Sequence, residues 1–310
     1  MSFNPDRRGL TAGLIAGALV GGTALGLGRA HAQPSGDVLE TRESQYNTIY
    51  VVRQGEMIAM MFGINRRLFT ESLYNPADPR ELPVVYTRYM TTALAYPTQL
   101  RSALEIGLGG GRTAHYMHLH MPQLRITSVE LDPDVIALAQ RHFGVTQNAN
   151  MRIVQRDGRM FLRQSQDRYD LIMIDAYRGT FVPFHLLTRE FFQTVKRRLQ
   201  PGGVVAQNIE PSTMLYDAAI ATLKAVFDNV DTYQADGNVV AIAYDGPAKT
   251  AAQLQARAGQ LQGAHRFRHP IQPLLAARRI VPARPSGRVL TDDFAPVESL
   301  RAIDRHNERQ

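Results

Sequence analysis

The sequence predicts an α/β protein built on a doubly wound parallel sheet. Three observations carry that expectation. Strand-like and helix-like periods alternate from residue 102 to about residue 244. A short apolar run, Leu104-Glu105-Ile106, ends in Gly107-Leu108-Gly109-Gly110-Gly111 and opens onto a helical period. The alternation then closes on two β-rich runs joined by Asp236-Gly237, a dipeptide preferred in two-residue hairpin turns.

Taken in order, residues 1–32 read as a targeting segment. Arg7-Arg8 precede an uncharged Gly/Ala/Leu run over 9–28, and Ala30-His31-Ala32 matches a small-x-small cleavage site. The arginine pair suggests the twin-arginine route, so the expected location is exported, periplasmic or extracellular, with a mature chain from Gln33. An uncleaved membrane anchor is the alternative, and the only membrane contact expected. Residues 33–97 read as a small β-rich region. A β-branched run at 48–52 is expected to pair with short strands at 56–62 and 67–69, before a loop at 75–79 and a helical period at 86–95.

Residues 98–248 form the expected central domain. Strands are placed at 103–106, 125–130, 151–155, 171–174 and 204–208. Helices are placed at 113–120, 133–143, 158–164, 186–199 and 216–227, with Pro201-Gly202-Gly203 stopping the fourth of them. Residues 230–234 and 239–244 make the terminal hairpin. A parallel sheet that ends in an antiparallel hairpin is a Rossmann-like sheet of the class I S-adenosylmethionine-dependent methyltransferase type. Residues 249–310 change character. An amphipathic helix over 251–263 is followed by prolines and arginines, and this extension is expected to fold back towards the site.

Composition excludes some chemistry. The chain has 310 residues and no cysteine, which rules out disulfides, thiolate metal sites and thiol nucleophiles. Its net charge is +7, but the arginines are scattered and form no nucleic-acid-binding run. His115, His118 and His120 cluster on one helix without a partner acid, read as a solvated helix face, and no metal is proposed.

The glycine turn has a partner of its own. Glycine lets a backbone turn tightly and lie against a ligand. Glu130 follows Gly107 by 23 residues, at the end of the next strand, where an acid can hold the ribose hydroxyls of a nucleoside.

At this point the chain resembles the spermidine synthase (polyamine aminopropyltransferase) family, in its bacterial spermidine synthase-like branch. The resemblance is carried by Leu82-Pro83-Val84-Val85-Tyr86-Thr87-Arg88-Tyr89-Met90, the glycine turn, Val129-Glu130-Leu131-Asp132-Pro133, Arg156-Asp157-Gly158-Arg159, Ile174-Asp175-Ala176-Tyr177, 185–192 and 290–297. It implies no tightly bound cofactor. The implied co-substrate is decarboxylated S-adenosylmethionine or S-adenosylmethionine, and the partner is a small-molecule amine or other nucleophile. A homodimer is also in keeping with it. Gly107, Gly109, Gly111, Glu130, Asp157 and Gly158 would hold the nucleoside, with Asp157 on the adenine amino group. Asp175 would help deprotonate the attacking amine, because an ammonium has no lone pair. Tyr86, Tyr177, Arg178, Glu210, Asp292 and Asp293 are the candidates for the substrate side.

Two departures qualify that reading. Gly110 stands where these transferases carry an aspartate, and Arg178 stands where they carry a second one. Glu210, Asp292 and Asp293 are the candidate replacements. Methyl transfer from S-adenosylmethionine, or a non-catalytic protein that binds a nucleoside or polyamine, are the alternatives to aminopropyl transfer.

Overall fold

The computed structural model describes residues 34–64, 67–177 and 181–293. The targeting segment expected over 1–32 lies outside the described residues, as does Arg178. No helix of the described residues is long and apolar enough to cross a membrane.

A four-stranded antiparallel sheet comes first, as β1 (Asp37–Glu43), β2 (Thr48–Gln54), β3 (Met57–Ile64) and β4 (Arg67–Tyr74), paired in chain order. The sequence predicts three strands here. Strand β1 is additional: its seven residues are charged or exposed and show no apolar alternation. Helix α1 (Val85–Met90) continues as a 3₁₀ turn over Thr91–Ala95.

The central domain alternates as expected. Its parallel strands are β5 (Ser102–Ile106), β6 (Arg125–Glu130), β7 (Met151–Gln155), β8 (Tyr169–Ile174) and β9 (Leu199–Ile209). The helices between them are α2 (Arg112–His120), α3 (Pro133–His142), α4 (Gly158–Gln164) and α5 (Arg189–Arg197). Helix α6 (Tyr216–Val226) leads into the hairpin of β10 (Asn229–Ala235) and β11 (Asn238–Tyr244). Asp236 and Gly237 both have positive φ, as a tight hairpin turn of this kind requires. The sheet order is β7-β6-β5-β8-β9-β11-β10, with β11 antiparallel to β9. Reversal of strand order between β5 and β8 opens a crevice at the carboxyl ends of the strands, where ligands bind in such sheets.

Local chemistry fixes the helix starts. Asp132 caps α3 ahead of Pro133, Asp157 caps α4 and Thr188 caps α5, each accepting a backbone N–H. Pro201-Gly202-Gly203 does not stop a helix. Helix α5 ends at Arg197, and the three residues lie inside β9, with Gly202 at positive φ packed against Thr98.

The C-terminal segment is part of the same core. Helix α7 (Ala251–His265) starts on a Thr250–Gln253 capping box, followed by α8 (Ile271–Leu274). Leu254, Ala258, Leu261, Ile271 and Leu275 enter the apolar layer that also holds Ala103 of β5. Strand β12 (Arg278–Ile280) then adds an edge to β10, an element the sequence did not reveal. Beyond it, Leu290 exchanges backbone bonds with the Thr222 hydroxyl of α6 and the Arg189 N–H of α5.

The histidines of α2 do not form a solvated face. His115 and His120 are buried. The Arg112 guanidinium meets His115 Nδ1 at 3.2 Å, and His120 Nε2 accepts from the Arg268 N–H at 3.3 Å. The C-terminal segment covers this helix, which no local pattern in α2 reports.

Candidate active site

The carboxyl ends of β5, β6, β7 and β8 border a cavity of about 610 Å³. Strand β4, the start of α1 and the loop at 45–47 close its other side. Among the described residues six acids line it: Glu71, Glu105, Glu130, Asp132, Asp157 and Asp175. Arg112 also borders it, but its two Nη atoms donate to the carbonyls of Phe143 and Pro79 and its guanidinium lies over the face of Tyr74. The cavity is therefore acid-rich and suited to a cation.

Glycine is required where strand ends cross. Gly107 has φ +91, and a Cβ there would lie 2.3 Å from the Asp175 carbonyl oxygen. At Gly158 a Cβ would lie 2.3 Å from Ile106 Cγ2. Both residues line the cavity, as does Gly109. Gly111 does not. It is the residue before α2, at φ +65, and its missing Cβ makes room for Val145. Its glycine is a packing and helix-entry requirement.

Glu130 is fixed by the backbone. Oε2 accepts the Leu108 N–H at 2.9 Å, and Oε1 accepts those of Leu131 and Asp132 at 2.7 and 3.0 Å. Burial raises its carboxyl above the usual range, while these N–H groups oppose the rise. Asp157 divides its oxygens. Oδ1 accepts the Met160 N–H at 2.8 Å, and Oδ2 meets His185 Nε2 at 3.0 Å. The contact with His185 holds it below the usual carboxylate range.

Asp175 follows β8. Its Oδ2 accepts from the Tyr86 hydroxyl at 3.1 Å, and Oδ1 accepts from Asn208 Nδ2 at 2.9 Å. Two donors from α1 and β9 thus set the plane of the carboxylate and leave lone pairs for a further donor. Burial raises its carboxyl, and both donors moderate the rise. Burial also holds the Tyr86 and Tyr177 phenols neutral, and both side chains line the cavity.

The expected replacement acids are elsewhere. Glu210 accepts the Ser212 N–H at 3.1 Å and shapes the turn before α6, outside the cavity lining. Asp292 is exposed and paired with Arg159, and Asp293 is exposed. The tail thus reaches α4 beside Asp157 but contributes no lining residue from Asp292 or Asp293. Three other acids line the cavity instead, Asp132, Glu105 and Glu71, and none of them was expected there from the sequence. Glu105 is buried in β5, where the Ser128 hydroxyl donates to it at 2.7 Å; burial pushes its carboxyl up to about 8. Glu71 lies in β4, and burial with Asp175 and Glu130 nearby pushes it up to about 8.

Comparison with known proteins agrees with this geometry. Residues 84–242 match the spermine/spermidine synthase domain, just over half of the chain. The chain belongs to the spermine/spermidine synthase family. A polyamine aminopropyltransferase from Vibrio vulnificus is 28% identical over 280 residues, covering 85% of this chain and 91% of that protein. One from Chromobacterium violaceum is 31% identical over 192 residues, covering 60% and 74% respectively. Among solved structures, a probable spermidine synthase from Corynebacterium glutamicum superposes with a TM-score of 0.64 at 20% identity, covering 85% of this chain and all of that one. This last likeness concerns the fold. The family match spans the glycine turn, Glu130, Asp157, Asp175 and the hairpin turn, whereas β4 with Glu71 lies before it.

Proposed function

We propose that this protein transfers the aminopropyl group of decarboxylated S-adenosylmethionine to a primary amine. The observation that carries the reading is the arrangement at Asp175: a partly buried carboxylate, oriented by Tyr86 and Asn208, inside an acid-lined cavity next to the glycine turn. Both substrates are cations, and such a cavity favours them over neutral or anionic competitors.

In this reading the nucleoside lies over Gly107 and Gly109, with its ribose hydroxyls on the remaining lone pairs of Glu130. The adenine amino group takes the place of His185 at Asp157 Oδ2. The acceptor must be a free amine when it attacks. Its nitrogen lone pair bonds to the carbon next to the sulfonium, the C–S bond breaks, and its electrons return to sulfur to leave methylthioadenosine. Asp175 receives the proton the nitrogen gives up. Tyr86, neutral throughout, holds the carboxylate in line.

Methyl transfer would require the cavity to accept the carboxylate of S-adenosylmethionine among six acids. Among the described residues, the cation buried there is Arg112, and both its Nη atoms already donate to backbone carbonyls. The N-terminal sequence supports an exported setting as part of this proposal, and family membership is consistent with a homodimer.

Thermal unfolding tests the binding half. Decarboxylated S-adenosylmethionine at 100 times its dissociation constant is expected to stabilise the protein by about 2.7 kcal/mol. Equal concentrations of S-adenosylmethionine are expected to do less. The reverse order would move the reading to methyl transfer, and no response to either would remove it.

A further inference from the structure

Strand β4 carries an irregularity at the cavity wall. Met60 pairs with Ser72 and Met61 pairs with Thr70, so Glu71 is an extra residue with no partner in β3. A bulge of this kind breaks the two-residue alternation and re-aims a side chain. Its effect here is that two successive residues serve the site. Ser72 Oγ accepts the Gly110 N–H at 2.8 Å, and Glu71 lines the cavity.

The same contact explains the glycine turn's missing acid. A Cβ at Gly110 would lie 2.7 Å from Ser72 Cβ and 2.8 Å from Phe143 Cδ1. A side chain at that position would have to displace Ser72 or Phe143, and Ser72 is held there by the Gly110 N–H.

Glu71 differs from its neighbours in what it lacks. Glu105, Glu130, Asp132, Asp157 and Asp175 are each held by hydroxyl, amide, imidazole or backbone donors. Among the described residues, Glu71 Oε1 is shut off from solvent and has no hydrogen-bond partner. A buried acceptor left unpaired is costly, and a ligand that donates to it recovers that cost on binding.

Given the transferase reading above, we infer that Glu71 receives the primary ammonium of the donor's three-carbon arm, making the protein selective for a decarboxylated sulfonium nucleoside. A carboxylate on the carbon that bears that ammonium would meet Glu71 and Asp175 as like charges. A nucleoside without the arm would leave Oε1 unpaired. The raised carboxyl of Glu71 fits this role. Burial, Asp175 and Glu130 disfavour its ionisation in the free protein, and an ammonium beside it reverses that balance.

Titration calorimetry of wild type and Glu71→Gln with three compounds tests the inference: decarboxylated S-adenosylmethionine, S-adenosylmethionine and methylthioadenosine. Wild type is expected to bind the decarboxylated donor at least about tenfold more tightly than methylthioadenosine, the strength of a hydrogen bond to a charged group. Glu71→Gln is expected to abolish most of that preference and leave methylthioadenosine affinity unchanged. A preference retained in Glu71→Gln would overturn the inference while leaving the transferase reading intact. If Gln also weakens methylthioadenosine binding, Glu71→Asp decides: a restored preference supports the ammonium contact, and a preference still absent when methylthioadenosine binds normally overturns it. Failure of the wild type to bind any of the three removes the transferase reading, and this inference with it.

Discussion

Replacing Asp175 with asparagine is expected to lower the rate of aminopropyl transfer by about 10²- to 10⁴-fold while leaving nucleoside affinity within about twofold. The amide keeps the shape of the carboxylate. It still offers an oxygen to Asn208 and can bond the Tyr86 hydroxyl, so the end of β8 is not expected to rearrange. What it loses is the capacity to accept a proton from the attacking nitrogen. Nucleoside contacts are assigned to Glu130, Asp157 and the glycine turn, so binding should survive. The kcat/KM of the wild type should fall as pH drops through the carboxyl of Asp175, which burial raises above the ordinary range. The acceptor's own ammonium adds a separate rise towards alkaline pH. Steady-state rates with the donor and a primary diamine measure the change. Turnover within threefold of the wild type would exclude Asp175 as the proton acceptor.

Replacing Arg278 with leucine is expected to destabilise the protein by about 3–5 kcal/mol, the cost of leaving a buried charge without its partner. Arg278 Nη2 lies 2.7 Å from Asp231 Oδ2, and Asp231 is only 1% exposed. The hydroxyl of Tyr96 also donates to that carboxylate at 2.8 Å, and Tyr96 in turn meets the Tyr233 hydroxyl at 2.6 Å. This network joins the 3₁₀ turn after α1, β10 and β12 at one point. Its loss should loosen β12 and the packing of α7 and α8 together. Denaturant unfolding measures the effect, and a second substitution, Asp231→Leu, should recover much of it by removing the stranded charge. A loss below about 1 kcal/mol in Arg278→Leu would show that this ion pair does not hold the C-terminal segment in place.

The central sheet was legible because its signals are local. Leu104, Ile106, Leu171, Ile172 and Ile174 are buried in parallel strands, and such strands read as apolar runs. Glycines, capping aspartates and the Asp-Gly turn mark where each element ends. The placement of Glu130, Asp157 and Asp175 at the cavity was legible for the same reason, since each ends such a strand or follows it within two residues.

The parts not legible depend on packing across the chain. Strands β1 and β12 are charged edge segments whose only strand-like property is pairing with a neighbour. His120 looks like a surface residue until the C-terminal segment covers it, and His115 until Arg112 of its own helix packs on it. Glu71 was hidden by its bulge. The run Leu68-Phe69-Thr70-Glu71-Ser72 has no two-residue alternation, so sequence gives no face to which the glutamate could be assigned. Glu210, Asp292 and Asp293 illustrate the converse. Their position after a strand or in a matching motif suggested the site, but Glu210 shapes a turn, Asp292 pairs with Arg159 and Asp293 is exposed.

The most direct measurement is product analysis after incubating the purified protein with decarboxylated S-adenosylmethionine and a panel of primary diamines. Mass spectrometry should show methylthioadenosine and an amine heavier by one aminopropyl group, formed in equal amounts. Donor that is bound but not consumed with every amine, or a methylated product from S-adenosylmethionine, would contradict aminopropyl transfer at this site.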